Sequence, residues 1–418
     1  PADAINLATL LCGSEGTLAI SQRIKVRLAD QPVNKALGIC HFPTFRSAME
    51  AAQHIVTLGP VAVEVVDATL ISLARDIPIF KPVMDTHVRG QPEALLLVEF
   101  AEPDQAENLR RLDRLDEMMG DLGHADAVGK VSDAAQQSAV WGVRTSGLNI
   151  MMSMKSEGKP VSFIEDCAVP LEHLADYTER LTEIFAKHGT TGTWYAHASV
   201  GCLHVRPVLN MRQDKDVKTM RVIAEECFDL VKHYKGSHSG EHGDGLVRSE
   251  FHEKMYGRET VALFETIKDR FDPEGVLNPG KIVRAPRMND RSLFRYKPDY
   301  AASDFTPALD WSAWPGGARG LQGAVEMCNN NGACRKQVGG AMCPSYRVTR
   351  NERDLTRGRA NTLRLALTGQ LGADALTSDE MAETMKLCVS CKACRRECPT
   401  SVDMAKMKIE VQAAAGAR

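Results

Sequence analysis

Residues 193–210, TWYAHASVGCLHVRPVLN, read as two strands folded about a tight Val200–Gly201 turn. β-Branched and aromatic residues fill both arms, as a pleated and half-buried surface favours. Downstream, residues 216–234 carry apolar side chains at helical spacing. Upstream, Leu171, Leu174, Leu181, Ile184 and Phe185 line one helix face that begins after Pro170 and stops at Gly189. Ala94–Phe100 and Val161–Val169 read as buried strands. Strands alternating with helices of this length predict an α+β architecture, with a mixed sheet covered on one face.

Further out, a Gly13-Ser14-Glu15-Gly16 turn leads into an alternating segment, TLAISQRIKVRL, that reads as a strand. A glycine-rich loop occupies residues 240–245. From Val283 to Gly320 the chain is rich in Pro, Arg, Trp and Gly without periodicity and reads as a linker draped over the surface. The remainder has no strand signal and is expected to be helical around its cysteines.

A chain of 418 residues has room for two or three cores. Its net charge of -3 gives no basic excess for nucleic acid, so a small molecule is the expected partner. No run approaches the ~20 apolar residues of a membrane span, and no basic-then-apolar leader opens the chain. The chain starts at Pro1 on residues that read as the middle of a domain, which predicts a fragment of a longer protein.

Of the 12 cysteines, Cys12, Cys40, Cys167, Cys202 and Cys227 are scattered and read as core filler. Seven crowd the segment from Cys328 to Cys398, a density that argues for metal in a reducing compartment. Cys388, Cys391, Cys394 and Cys398-Pro399 form the Cys-x2-Cys-x2-Cys-x3-Cys-Pro run, in which three thiolates bind one 4Fe-4S cubane and the fourth serves a neighbouring cluster. A zinc knuckle is the alternative, but it gives the terminal Cys-Pro no role. Cys328, Cys334 and Cys343-Pro344 resemble the partner run, with Asn331 in place of the middle cysteine. A second cluster is therefore left open between a site one ligand short, a three-iron form and none. Crossed pairing would put Cys343 with Cys388, Cys391 and Cys394, and Cys398 with Cys328 and Cys334.

His197 and His204 flank the tight turn, so both rings can converge on one point. Two neutral imidazoles and a carboxylate make an open Lewis-acid site, and Glu241 in the glycine-rich loop is the natural third ligand for a divalent metal, zinc by preference. The competing reading is a pair of hydrogen-bonded structural histidines.

GSEGTLAI, HASVGCLHV, GEHGDG and FDPEGVLNPGK occur here in the order in which they occur in the vanillyl-alcohol-oxidase-like flavoproteins. Over about residues 1 to 285 the chain resembles the branch of D-lactate and D-2-hydroxyglutarate dehydrogenases. MCPSYRVTR and RGRANTLR resemble the iron–sulfur part of the large bacterial fusion proteins of that branch. The resemblance implies the tail of an FAD-binding domain over 1–30, a ferredoxin-like α/β substrate domain over 31–285, a linker over 286–320 and a helical 4Fe-4S domain over 321–418. It implies that Gly13, Ser14, Glu15 and Gly16 lie against FAD and that Asn278 sits beside the isoalloxazine ring. It further implies His197, His204 and Glu241 as metal ligands, His242 as catalytic base and Arg144 as a clamp on the substrate carboxylate. Residues 163–166, FIED, lack a Lys that some 2-hydroxyglutarate enzymes place near the substrate, and Arg206 is the candidate to supply that charge.

The expected function is therefore flavin-dependent oxidation of a D-2-hydroxy acid, D-2-hydroxyglutarate or D-lactate, to the 2-oxo acid. Electrons then leave through iron–sulfur clusters to a quinone or redox protein. A glycolate dehydrogenase subunit and a non-catalytic electron-transfer subunit stay open as alternatives. So do association into a homo-oligomer and, for a protein expected in the cytoplasm, peripheral attachment at the inner membrane.

Overall fold

An antiparallel sheet organises the first of two units seen in the computed structural model, which describes residues 6–416. This unit runs to Arg144 and includes Pro160–Val208 and Asp214–Phe294. The strands of the sheet are β1 (Ala36–Phe42), β2 (Ala62–Asp67), β3 (Ala94–Phe100), β4 (Val128–Val131), β5 (Lys159–Pro160), β6 (Cys167–Ala168), β7 (Gly192–His197) and β8 (Cys202–Leu209). They lie in the order β4-β1-β3-β2-β7-β8-β5, with β6 paired to β8.

The expected mixed sheet is corrected by β3, which runs antiparallel to both β1 and β2 and separates them. β1 and β2 therefore point the same way without touching. Cover on one face is also corrected, because β3 is buried at all 7 of its positions. Facing residues on paired strands share a side of the sheet. Gly38 of β1 pairs with Val98, and on that side the helix Gln105–Asp121 packs so closely that a Cβ on Gly38 would lie 2.6 Å from Leu115. Glu99 faces the opposite side and accepts a hydrogen bond from the indole of Trp141, in the helix Ala134–Thr145.

The reading of residues 193–210 holds: β7 and β8 form a hairpin whose apex is a short 3-10 turn, Ala198–Val200, followed by Gly201 at φ 67°. Only glycine fits there, since a Cβ would meet the Val169 carbonyl at 2.0 Å. The helices predicted on either side form over Leu174–Lys187 and Asp214–His233. Val161–Val169 is not one strand. Asp166 turns into the left-handed region at φ 75°, which breaks the run and leaves only Lys159–Pro160 and Cys167–Ala168 extended in the sheet. The segment after Gly16 is not a strand either. Ile20, Ile24, Val26 and Leu28 are exposed, and the segment pairs with none of the strands of the sheet.

The second unit comprises Thr145–Lys159, Leu209–Gln213 and the chain from Arg295. From Arg295 on it is helical, without a strand among the described residues. The segment read as a surface linker supplies part of its core: Trp311 is 1% exposed and packs among residues such as Leu321, Leu363 and Val411. Glu410, fully buried in the helix Met404–Gly416, accepts from the backbone of Ala308 and Leu309 and from the Trp311 indole. Three donors on one buried carboxylate meet its desolvation penalty and pin the segment.

Candidate functional site

Strand alternation assembles the site. Tyr195 and His197 project to one side of β7, and the register opposes Tyr195 to His204 and Glu64 of β2 to His197. Glu64, Tyr195, His197, His204 and Arg206 therefore share one side of the sheet, the side covered by the helix carrying Trp141 and Arg144. The glycine-rich loop approaches this side and brings Glu241 and His242.

Three imidazoles converge on one oxygen. His197 Nε2, His204 Nε2 and His242 Nε2 lie 3.0, 3.2 and 3.3 Å from Glu241 Oε1. The edge of a coordination tetrahedron with bonds of 2.0–2.1 Å is about 3.4 Å, so each of these contacts has the length of an edge between two ligands of one small divalent ion. The donors here whose ligand atoms all lie within 4.8 Å of one another are Asp166, His204, Glu241 and His242, without His197. His197 Nδ1 lies 2.6 Å from Glu64 Oε1. A carboxylate only accepts, so Nδ1 carries a proton, as a metal-ligating histidine usually does on its outer nitrogen. This contact raises the His197 imidazole above its ordinary pKa, against the effect of burial. Burial, reinforced by the cations of its neighbours, pushes His204 down to about 3, which keeps it neutral and free to ligate. Its Nδ1 is buried without a hydrogen-bond partner.

Glu64 also joins Arg144 to this group: its Oε2 lies 2.5 Å from Arg144 Nη2, and the guanidinium stacks over the Tyr195 ring at 4.9 Å. Arg206 stacks on the same ring at 5.5 Å but is buried against the Glu165 carboxylate. His242 stacks on His204, with ring centres 4.8 Å apart.

Asp166 holds the loop. Its Oδ1 accepts from Glu241 N and its Oδ2 from His242 N, each at 2.9 Å, while its carbonyl accepts from Gly240 N. Burial alone would raise this carboxyl, but the two N–H groups outweigh it and hold the pKa below the usual range. A Cβ at Gly240 would meet Cys202 Sγ at 2.9 Å. Sequence reasoning missed Glu64, Asp166 and Tyr195 as members of the site. Glu64, an acid with apolar residues on both sides in the AVEVVD strand, was the one visible signal.

The other motif residues meet through Glu15. Its carboxylate accepts from Asp244 N and Gly245 N, and its carbonyl accepts from Asn278 Nδ2 at 2.6 Å. Gly13 and Gly16 have positive φ and open space on the Cβ side, so a ligand can lie directly on that backbone. Gly13 and Ser14 line a cavity of about 320 Å³. This arrangement fits an extended phosphate-bearing cofactor.

In the second unit, Cys343, Cys388, Cys391 and Cys394 line one small cavity together with Thr356 and Arg359, and Cys398 lies outside that lining. Ser390 and Lys392, both with positive φ, coil the Cys388–Cys394 run. Cys343 Sγ accepts from Thr356 N at 3.1 Å. Burial, with Cys398 as the next contribution that raises it, pushes up the Cys328 thiol. Cys334 is pushed to about 11 by burial first, with Cys343 and Cys328 adding. Asn331 is engaged locally: its Oδ1 accepts from Ala333 N and its Nδ2 donates to Asn329.

Residues 31–282 match the FAD linked oxidases, C-terminal domain, which is more than half of the chain. The chain belongs to that family. In this FAD-linked oxidase chain, residues 324–402 also match the 4Fe-4S dicluster domain, so FAD and an iron–sulfur cluster are its cofactors. It is 29% identical over 451 residues to a D-2-hydroxyglutarate dehydrogenase of Escherichia coli, covering 96% of this chain and 43% of that protein. A D-lactate dehydrogenase of Archaeoglobus fulgidus is 28% identical, covering 67% of this chain and 58% of the relative. The FAD-linked oxidase chain thus spans less than half the length of the first of these. Among the described residues no helix is long and apolar enough to cross a membrane.

Proposed function

We propose that the chain supplies the substrate site and electron exit of a flavin-dependent dehydrogenase that oxidises a D-2-hydroxy acid to the 2-oxo acid. The observation that carries this reading is the convergence of three imidazole nitrogens on Glu241, joined through Glu64 to Arg144. In it, His197, His204 and Glu241 hold a divalent ion, zinc by their chemistry, and Gly13, Ser14, Glu15, Gly16 and Asn278 face FAD. When bound, the ion polarises the substrate hydroxyl, FAD takes up two electrons and the clusters carry them on singly.

Arg144 binds the substrate carboxylate, its planar fork oriented by Glu64 and Tyr195. His242, aimed by Asp166 through its own backbone, takes the proton from the hydroxyl oxygen. Glu64 keeps His197 in one tautomer. Cys343, Cys388, Cys391 and Cys394 hold one cubane, and Cys328, Cys334 and Cys398 a second site that is one sulfur short.

The D-2-hydroxyglutarate relatives favour that acid as substrate. Arg206 is paired with Glu165 as Arg144 is paired with Glu64, and D-lactate and glycolate stand as the monocarboxylic alternatives. Steady-state assays of the full-length protein on D- and L-2-hydroxy acids, with an artificial electron acceptor, test both. Turnover of one D-acid that is lost with chelator supports the reading, and a protein with flavin and clusters loaded that oxidises none of the panel overturns it.

A further inference from the structure

A second set of donor side chains, unused by the reaction above, lies beyond the glycine-rich loop. His238 is fully buried, His252 is 3% exposed and Asp244 sits between them. One ligand atom from each lies within 4.8 Å of the other two. His252 Nε2 is 3.2 Å from Asp244 Oδ2, and His238 Nε2 is 3.4 Å from Asp244 Oδ1. Both values match the ~3.4 Å edge of a zinc tetrahedron.

The hydrogen bonding asks for a cation. His252 Nδ1 lies 2.7 Å from the Ile282 carbonyl oxygen, which only accepts, so the ring proton is on Nδ1 and a lone pair on Nε2 faces the carboxylate. Two acceptors then confront each other. A proton on His252 Nε2 would relieve that one contact but would leave His238, whose two ring nitrogens both lack a hydrogen-bond partner, as does Asp244 Oδ1. Leaving these buried polar atoms unsatisfied is costly, and one ion between the rings would meet His238 Nε2 and the Asp244 carboxylate together, with the His238 ring proton then on Nδ1. Asp244 and His252 also line the 320 Å³ cavity that Gly13 and Ser14 border, which provides an entry path.

We propose that His238, Asp244 and His252 form a second divalent-metal site of the zinc class, with three protein ligands and an open position toward that cavity. This proposal does not rest on the reaction proposed above. Stripped full-length protein titrated with Co²⁺ is expected to take up about two equivalents, and His252→Gln about one. Should the His197–His204–Glu241 site fail, uptake by the wild type falls to about one equivalent and His252→Gln abolishes it. Unchanged uptake in a folded His252→Gln variant overturns the proposal. Because that variant can fail to fold, zinc-edge anomalous diffraction from zinc-soaked wild-type crystals gives a second readout. A peak between His238, Asp244 and His252 supports the site, and its absence at saturating zinc overturns it.

Discussion

Glu64 Oε1 lies 2.6 Å from His197 Nδ1, on a strand neighbouring the one that carries the histidine. The second oxygen of the same carboxylate holds Arg144. A single strand residue therefore orients both a candidate ligand and a candidate substrate clamp. Glu64→Gln is expected to weaken divalent-metal binding by ~10- to 100-fold, as loss of an outer-shell partner does. Competition with a calibrated chelator measures this, and unchanged affinity would remove Glu64 from the site.

Arg144 and His242 divide binding from turnover. Arg144→Lys keeps a charge but loses the fork, so KM rises roughly 10-fold with kcat little changed. His242→Ala lowers kcat by ~10²- to 10⁴-fold. Steady-state kinetics on the substrate identified by the panel separate the two, and an Arg144→Lys enzyme with unaltered KM rules out the clamp.

Crossed cluster pairing makes remote cysteines equivalent. Cys343→Ala and Cys391→Ala should remove the same signal from the EPR spectrum of the reduced protein and about four irons per chain. Cys398→Ala should spare that signal and affect the other site. If Cys398→Ala and Cys391→Ala prove indistinguishable, a single-cluster domain is the better account.

Asp67 gives the stability a pH signature. Burial raises its carboxyl to about 6, opposed by hydrogen bonds from Leu70 N and Trp194 N. A folded pKa above the unfolded value of about 3.9 means that the folded state holds the proton more tightly. The stability this contributes is complete below about pH 4 and is lost as pH rises through about 6. Asp67→Asn cannot titrate. Thermal melts at pH 4.5 and pH 7 should therefore show the wild type losing ground to the variant at the higher pH, and a constant difference between them would contradict this.

The hairpin over residues 193–210, the cysteine run at 388–398 and the placing of His197 and His204 about one turn were legible in the sequence, because alternation, turn chemistry and ligand spacing are local properties, whereas His242 was singled out only by the family resemblance. Tertiary structure alone decided the partners. Glu64 reaches His197 across 133 residues and Asp166 reaches His242 across 76, through strand register and a left-handed break that no local pattern encodes. Trp311 became core rather than linker because Glu410, 99 residues away, accepts its indole N–H. The strand expected after Gly16 did not form because alternation prescribes a face, while a strand also needs an edge to pair with, and sequence periodicity carries no information about that edge.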